Sequence, residues 1–398
     1  MTVRLFRVFS VTLALLWAVA TPSVARAYPW MIRHGYTGCQ PCHTDPSGAG
    51  PLTAYGRAQG DLLLRTHYGR SAPDEEAAPT AGLLWGILSL PESLRFGGDV
   101  REAWLATKVD GAPTDTRQIL MRADLYGDVK LGRFRAEGSI GYAPVGALNA
   151  AITRTPSENL VSRDHWLGVE LDAEGAWLAR AGRMTLPFGI RSIEHTLWVR
   201  SSTRTDLNDA QQDGVALAFD KTPLRAEVMA VLGNYQLRPD EFRERGYSAF
   251  AEWSPDTHLA LGVSSLFTRA KRDVQFRVTD YRQAHGVFAR YSPWAPLAIL
   301  AEADFLYQSL TWNGHRAGYA AMLQGDLEAL QGFHWMLTFE AKNDGGGVSS
   351  SFGAWSSLVW FFAPHVDARV DGVYQSVAAG PGPNLGAVSA VAQIHAYL

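Results

Sequence analysis

From about residue 94 to residue 398, apolar and polar side chains alternate with period two, the pattern of strands that show one apolar and one polar face. Between Gln118 and Leu131 one face carries Ile119, Met121, Ala123, Leu125, Gly127, Val129 and Leu131, and the other Gln118, Arg122, Asp124, Tyr126, Asp128 and Lys130. The same reading sets Phe134, Ala136, Gly138, Ile140 and Tyr142 against Arg133, Arg135, Glu137 and Ser139. It sets Val366, Ala368, Val370, Gly372 and Tyr374 against Asp367, Arg369, Asp371 and Gln375. About sixteen such segments follow one another, the last running from Ala387 to Leu398.

Alternation alone does not separate a soluble sandwich from a membrane barrel, since either buries one face and wets the other. The connections do separate them. Short gaps at Gly132, 172–175, 220–223, 254–257, 292–296 and 363–364 alternate with long ones at 108–116, 146–161, 188–211, 233–245, 270–281, 342–350 and 378–384. Tight turns at one end and long loops at the other are the form of an outer-membrane barrel. The expected fold is therefore all-β, a transmembrane antiparallel β-barrel of about sixteen strands spanning 93–398, with both ends in the periplasm. The 13 Trp, 14 Tyr and 17 Phe suffice for two aromatic girdles, with Trp253 and Trp360 read as interface anchors. The longest loop, 188–211, would be the third extracellular one. Either it folds into the lumen, where Arg191, Glu194, Arg200, Arg204, Asp206 and Asp209 form a selectivity ring, or it is a solvated surface loop.

Composition changes the picture at the N-terminus. Arg4 and Arg7, an apolar run from Val8 to Ala20 and Ala25-Arg26-Ala27 read as a secretory signal over 1–27, so export is expected. The exported chain then holds 33 basic and 39 acidic residues, which offers no attraction to nucleic acid. The longest later apolar stretch, 81–90, falls short of the ~18 residues of a membrane helix. Residues 28–70 form a miniature segment, Gly/Pro-rich from Gly35 to Pro51 and with one short helix over 52–65, and 71–92 read as a linker. About forty residues cannot close a core of their own, so this segment is expected to shelter in the remainder.

The chain's two cysteines stand in Cys39-Gln40-Pro41-Cys42-His43, the c-type haem attachment pattern. Two thiols on one turn add to the two vinyl groups of one porphyrin, and the next residue presents a proximal imidazole to the iron. The bland alternatives are a disulfide or a thioredoxin-type pair, and the βαβ setting the latter needs is missing from the sequence pattern. For the sixth iron ligand the nearby candidates are His34 and Met31, with His195 of the long loop more remote. Arg33 and Arg57 are candidate propionate partners, or simply solvated arginines.

With Tyr28-Pro29, Arg33-His34-Gly35-Tyr36, the Cys39–His43 motif, Pro46 and Leu52-Thr53-Ala54-Tyr55-Gly56-Arg57, the chain resembles the fused monohaem cytochrome–porins of the outer membrane, whose best-known members oxidise iron(II). Gly182-Arg183 and Leu186-Pro187-Phe188-Gly189 are similar to phosphate-selective-type porins. The resemblance implies a barrel plugged by the haem segment, with one covalent haem c on Cys39 and Cys42 ligated by His43. It also implies an electron conduit between an extracellular donor or acceptor, Fe(II) among them, and a periplasmic c-type cytochrome. On that reading the chain is an electron-transfer protein or an Fe(II):cytochrome c oxidoreductase. Two rivals stand beside it: a solute porin whose haem is structural, sensing or gating, and an enzyme acting at an open haem iron, for which no acid–base group presents itself.

Overall fold

The computed structural model describes residues 28–69, 82–142, 160–192, 194, 196–208, 210–233, 244–273, 276, 278–311, 314–378 and 382–398. The signal segment, most of the linker, His195 and Asp209 lie outside these residues. The strands are β1 Leu94–Val109, β2 Asp115–Leu131, β3 Phe134–Tyr142, β4 Leu160–Val161, β5 His165–Glu170, β6 Trp177–Met184, β7 Gln212–Lys221, β8 Leu224–Gly233 and β9 Glu244–Asp256. They continue as β10 Leu259–Ala270, β11 Asp280–Trp294, β12 Leu297–Leu310, β13 Gly314–Leu330, β14 Phe333–Asn343, β15 Ser351–Ala363, β16 Val366–Val377 and β17 Leu385–Tyr397.

Apart from β4 and β5, each strand pairs antiparallel with its neighbour in sequence, and β17 pairs with β1 from Asp99↔Tyr397 to Val109↔Ala387, which closes the sheet. β4 and β5 both pair with β3, so they form one interrupted stave and the barrel has sixteen. Closure leaves no unpaired edge, the condition for crossing hydrocarbon with strands. The faces are inside-out relative to a soluble sandwich. Leu125, Phe134, Leu167, Val263, Val287 and Leu323 point outward and are more than half exposed, while Asp124, Asp128, Arg180, Glu227, Glu302 and Asp326 are buried within. An apolar exterior around a charged interior is stable only if the exterior meets lipid.

The short turns and the long loops segregate to opposite ends as the spacing predicts, except that the β12–β13 connection at the long-loop end spans only 311–313. One further tight turn, at 331–332 between β13 and β14, escapes the sequence reading because Gln331-Gly332 carries no Pro or Asp cluster. A second difference lies in β2. Arg101 pairs with Arg122 and Glu102 with Leu120, so Met121 is an extra residue in the ladder. Beyond this bulge the faces exchange: Ile119 lies opposite the buried Ala103, and Gln118 opposite the outward Trp104. A slip of one residue turns every side chain over, so the assignment of Ile119 and Gln118 from strict alternation is reversed.

Residues 28–69 sit inside the short-turn end of the barrel. A 3₁₀ turn at Pro29–His34 ends at Gly35, whose φ of 80° suits glycine. A helix at Ala54–Gln59 starts at Thr53, whose Oγ1 accepts from the Gly56 amide at 3.0 Å, and it widens into one π turn at Gly60–Leu64. Trp30, Met31, Ile32, Tyr36 and Leu64 pack on Ala260, Ala298, Met336, Val359 and Phe361 of the wall. Small wall residues make the space, and each large side chain so buried contributes about 1.5–3 kcal/mol. The segment leaves along the β13–β14 and β15–β16 turns, where the Thr66 amide donates to Phe361 O at 2.9 Å and its hydroxyl to Gln331 O at 3.0 Å.

The connection 185–211 between β6 and β7 also enters the lumen, so it is not a solvated surface loop. Leu186, Phe188, Ile190, Leu197 and Val199 are buried, and a short helix at Trp198–Thr203 packs inside. The Ile190 amide donates to Glu302 at 2.9 Å, the Gly189 amide to Ser264 at 3.1 Å, and Arg200 pairs with Glu302.

Candidate functional site

The Cys39–His43 motif is a single turn: the amides of Cys42 and His43 both donate to Cys39 O at 3.1 Å. Both cysteines are buried and neither is in a disulfide. The strand-like stretch after the motif folds back, with the Thr53 amide donating to Cys42 O at 2.9 Å. The helix then lies directly on the motif, because a Cβ on Gly56 would come within 2.4 Å of Cys42 O.

What holds the turn against the wall is charge. Asp45, fully buried, accepts from Arg180 Nη1 at 2.5 Å and Trp166 Nε1 at 3.1 Å, and Arg180 pairs onward with Glu227 at 2.5 Å. Burial pushes the Asp45 carboxyl up, but Arg180 and two hydrogen bonds from Ser47 outweigh it, and the group titrates below its ordinary value. Thr44 donates to Glu137 at 2.6 Å, and Arg135 donates to Thr44 O at 2.6 Å. On the other side Arg290 donates to Thr37 O at 2.6 Å, and Arg225 lies 3.2 Å from Cys39 Sγ. Five strands thus contribute to fixing Thr37, Cys39, Thr44 and Asp45 of the plug.

Between the motif and the wall of β1, β2 and β17 lies a cavity. Cys42, His43 and Met31 line it, with Gly48, Leu52 and Tyr397. Cys39 lies beneath its floor, 3.4 Å from where a Cβ on Gly48 would sit. His43 Nδ1 is buried with no hydrogen-bond partner among the described residues. Burial lowers the imidazole to about 4, against smaller opposing effects of the Gly50 backbone and Asp45, so it is neutral and keeps a lone pair at pH 7.

The other sequence candidates fall elsewhere. Met31 is 1% exposed and faces the cavity, whereas His34 Nε2 lies 3.2 Å from Glu328 outside it. Arg33 is committed to Asp326 at 2.5 Å and stacks over Trp30, and Arg57 donates to Leu52 O at 2.8 Å; neither lines the cavity. Three other guanidiniums do line it: Arg101 of β1, Arg122 of β2 and Arg191 of the lumenal loop. Their only sequence signal is placement on a polar strand face or in the longest loop. Of the other loop charges, Arg200 pairs with Glu302 and Glu194 with Arg369 of the wall, and Arg204 with Asp273 of the β10–β11 connection at 2.6 Å.

A closed even-staved barrel with an outward apolar band, tight turns at one end and a long loop folded into the lumen is a transmembrane β-barrel of porin-like fold. Solved structures agree with that fold. OmpT of Vibrio cholerae aligns over 78% of this chain and 100% of its own, at 12% identity and a TM-score of 0.57. An anion-selective porin from Comamonas acidovorans covers 77% and 99%, at 11% identity and 0.57. The outer membrane channel DcaP of Acinetobacter baumannii covers 76% and 96%, at 13% and 0.52. No family model and no curated protein sequence matches the chain.

Proposed function

We propose that this barrel carries one covalent haem c on its lumenal plug and passes single electrons across the outer membrane. The observation that carries the reading is one cavity meeting Cys42, His43 and Met31, with Cys39 behind Gly48 of its lining. The residues fit the group: two thiols on one turn for the vinyl carbons, a neutral imidazole without a hydrogen-bond partner at Nδ1 for one axial position, and a buried thioether for the other. Met31 is preferred to His34 as second ligand because His34 faces Glu328. When bound, the haem supplies a reversible one-electron couple: an external donor such as Fe(II) loses one electron to become Fe(III), and an oxidised periplasmic carrier gains it. No proton or atom changes hands.

The chain's own residues supply position and dryness. The Asp45–Arg180–Glu227 chain and the Thr44 contacts hold the motif to the wall, and loop 185–211 narrows the lumen above it. Arg101 lies eight residues below the outer end of β1, roughly 25 Å of extended chain at about 3.3 Å per residue. A dissolved donor that enters the lumen therefore suits this site better than a solid surface. A Met ligand and a buried cationic setting both favour the reduced, less positively charged state.

The test is reduction of the protein in liposomes, long loops outward, by external Fe(II), followed by optical absorbance. Rapid appearance of the reduced haem spectrum, lost in Cys39→Ala protein, supports the conduit. A haem that external Fe(II) does not reduce, in a barrel that passes small solutes freely, would favour a porin with a structural haem instead.

A further inference from the structure

A haem carries two carboxylates, and in a cavity this deep they need cationic partners. Neither Arg33 nor Arg57 lines the cavity. Arg191 does, and it is 8% exposed. Its Nη1 is taken by Leu186 O, but Nε and Nη2 have no hydrogen-bond partner among the described residues, the nearest carboxylate being Glu227 at 4.0 Å. Arg101 lines the same cavity; its Nη2 lies 3.4 Å from His395, but its Nε is likewise buried and without a hydrogen-bond partner among the described residues. Arg122, the third guanidinium, is already held by Asp124 at 2.7 Å and Asp99 at 3.5 Å. Buried guanidinium N–H groups with nothing to donate to are costly, and they are the groups a carboxylate satisfies.

Resting on the haem reading above, we infer that Arg191 and Arg101 bind the propionate carboxylates, so that the cofactor joins the plug, the β1 wall and the lumenal loop. Arg191 belongs to the segment that narrows the barrel, whereas Cys39 and Cys42 belong to the plug. A propionate held by Arg191 therefore ties the loop to the haem segment through the cofactor. These arginines are positioning residues, acting on the haem through its carboxylates and not on the iron.

The test uses the full-length protein as Arg191→Gln, Arg101→Gln, Arg191→Lys and Arg204→Gln, with covalent haem read by mass and haem stain and the midpoint potential read by spectroelectrochemistry. Thioether attachment is expected to survive in all four. The potential is expected to move negative in R191Q and R101Q, because a cation beside a propionate favours the reduced iron, and R191K is expected to recover part of the shift. Arg204 lies in the same loop on Asp273, away from the cavity, and R204Q is expected to keep the wild-type potential. Potentials of R191Q and R101Q equal to wild type would overturn the assignment, as would an equal shift in R204Q, which would mark a general disturbance of the loop. Should R191Q fail to assemble, R101Q and R191K decide on the same readout. A wild-type protein without haem would instead overturn the haem reading itself, and this inference with it.

Discussion

At the residue scale the Asp45–Arg180 pair bears most on the site. Two residues beyond His43 a carboxylate is withdrawn wholly from water, and it is tolerable there only because Arg180 meets it. Asp45→Ala leaves Arg180 with Glu227 alone and is expected to weaken docking of the plug by about 3–5 kcal/mol, the cost of breaking a buried pair. Limited proteolysis of residues 28–69 in the folded barrel measures it, and wild-type resistance in the variant would refute it. Glu194 makes a second prediction. Burial raises this carboxyl, but Arg369 and the Ser192 hydroxyl outweigh that and hold it below its ordinary value. Such a group stabilises the folded loop above its unfolded pKa, about 4.3, and the contribution is lost as pH falls through the lower folded value. The loop is therefore expected to loosen only in strong acid, seen as a rise in single-channel conductance below about pH 4. An acid response unchanged in Glu194→Gln would count against this tie.

At the element scale period-two patterning was legible because each stave has lipid on one side and a packed, charged lumen on the other. Val287 is at the centre of β11 and 60% exposed to the outside. Val287→Arg is expected to destabilise the barrel by about 2–4 kcal/mol, read from urea unfolding in vesicles, the range found for a cation at mid-membrane. A similar cost for a polar substitution at the lumenal Thr338 would argue against this orientation. The β2 bulge at Met121 was not legible, since nothing in the local pattern distinguishes an unpaired residue from a paired one. It shows only against the ladder of β1.

At the scale of the whole molecule the wall closes on itself without the plug, every stave being hydrogen-bonded to two others. A chain lacking residues 28–69 is therefore expected to insert and to conduct more ions than the full-length protein, measured in planar bilayers. Failure of the shortened chain to form a barrel would mean that the plug is needed for assembly. The sequence by itself determined the strand-and-loop asymmetry, and so the barrel class, because crossing a membrane with strands imposes a period of two and a rhythm of short and long connections. It also carries the Cys39–His43 motif, the order of residues within one turn that the proposed haem attachment would need. Only the tertiary structure decided that the lumenal loop is buried and that Met31 faces the cavity while His34 turns to Glu328. It also decided that Arg101 and Arg191, not Arg33 or Arg57, surround the site. These are choices among residues far apart in the chain, made by the closure of sixteen staves around one interior, and no local pattern records which side chains that closure brings together.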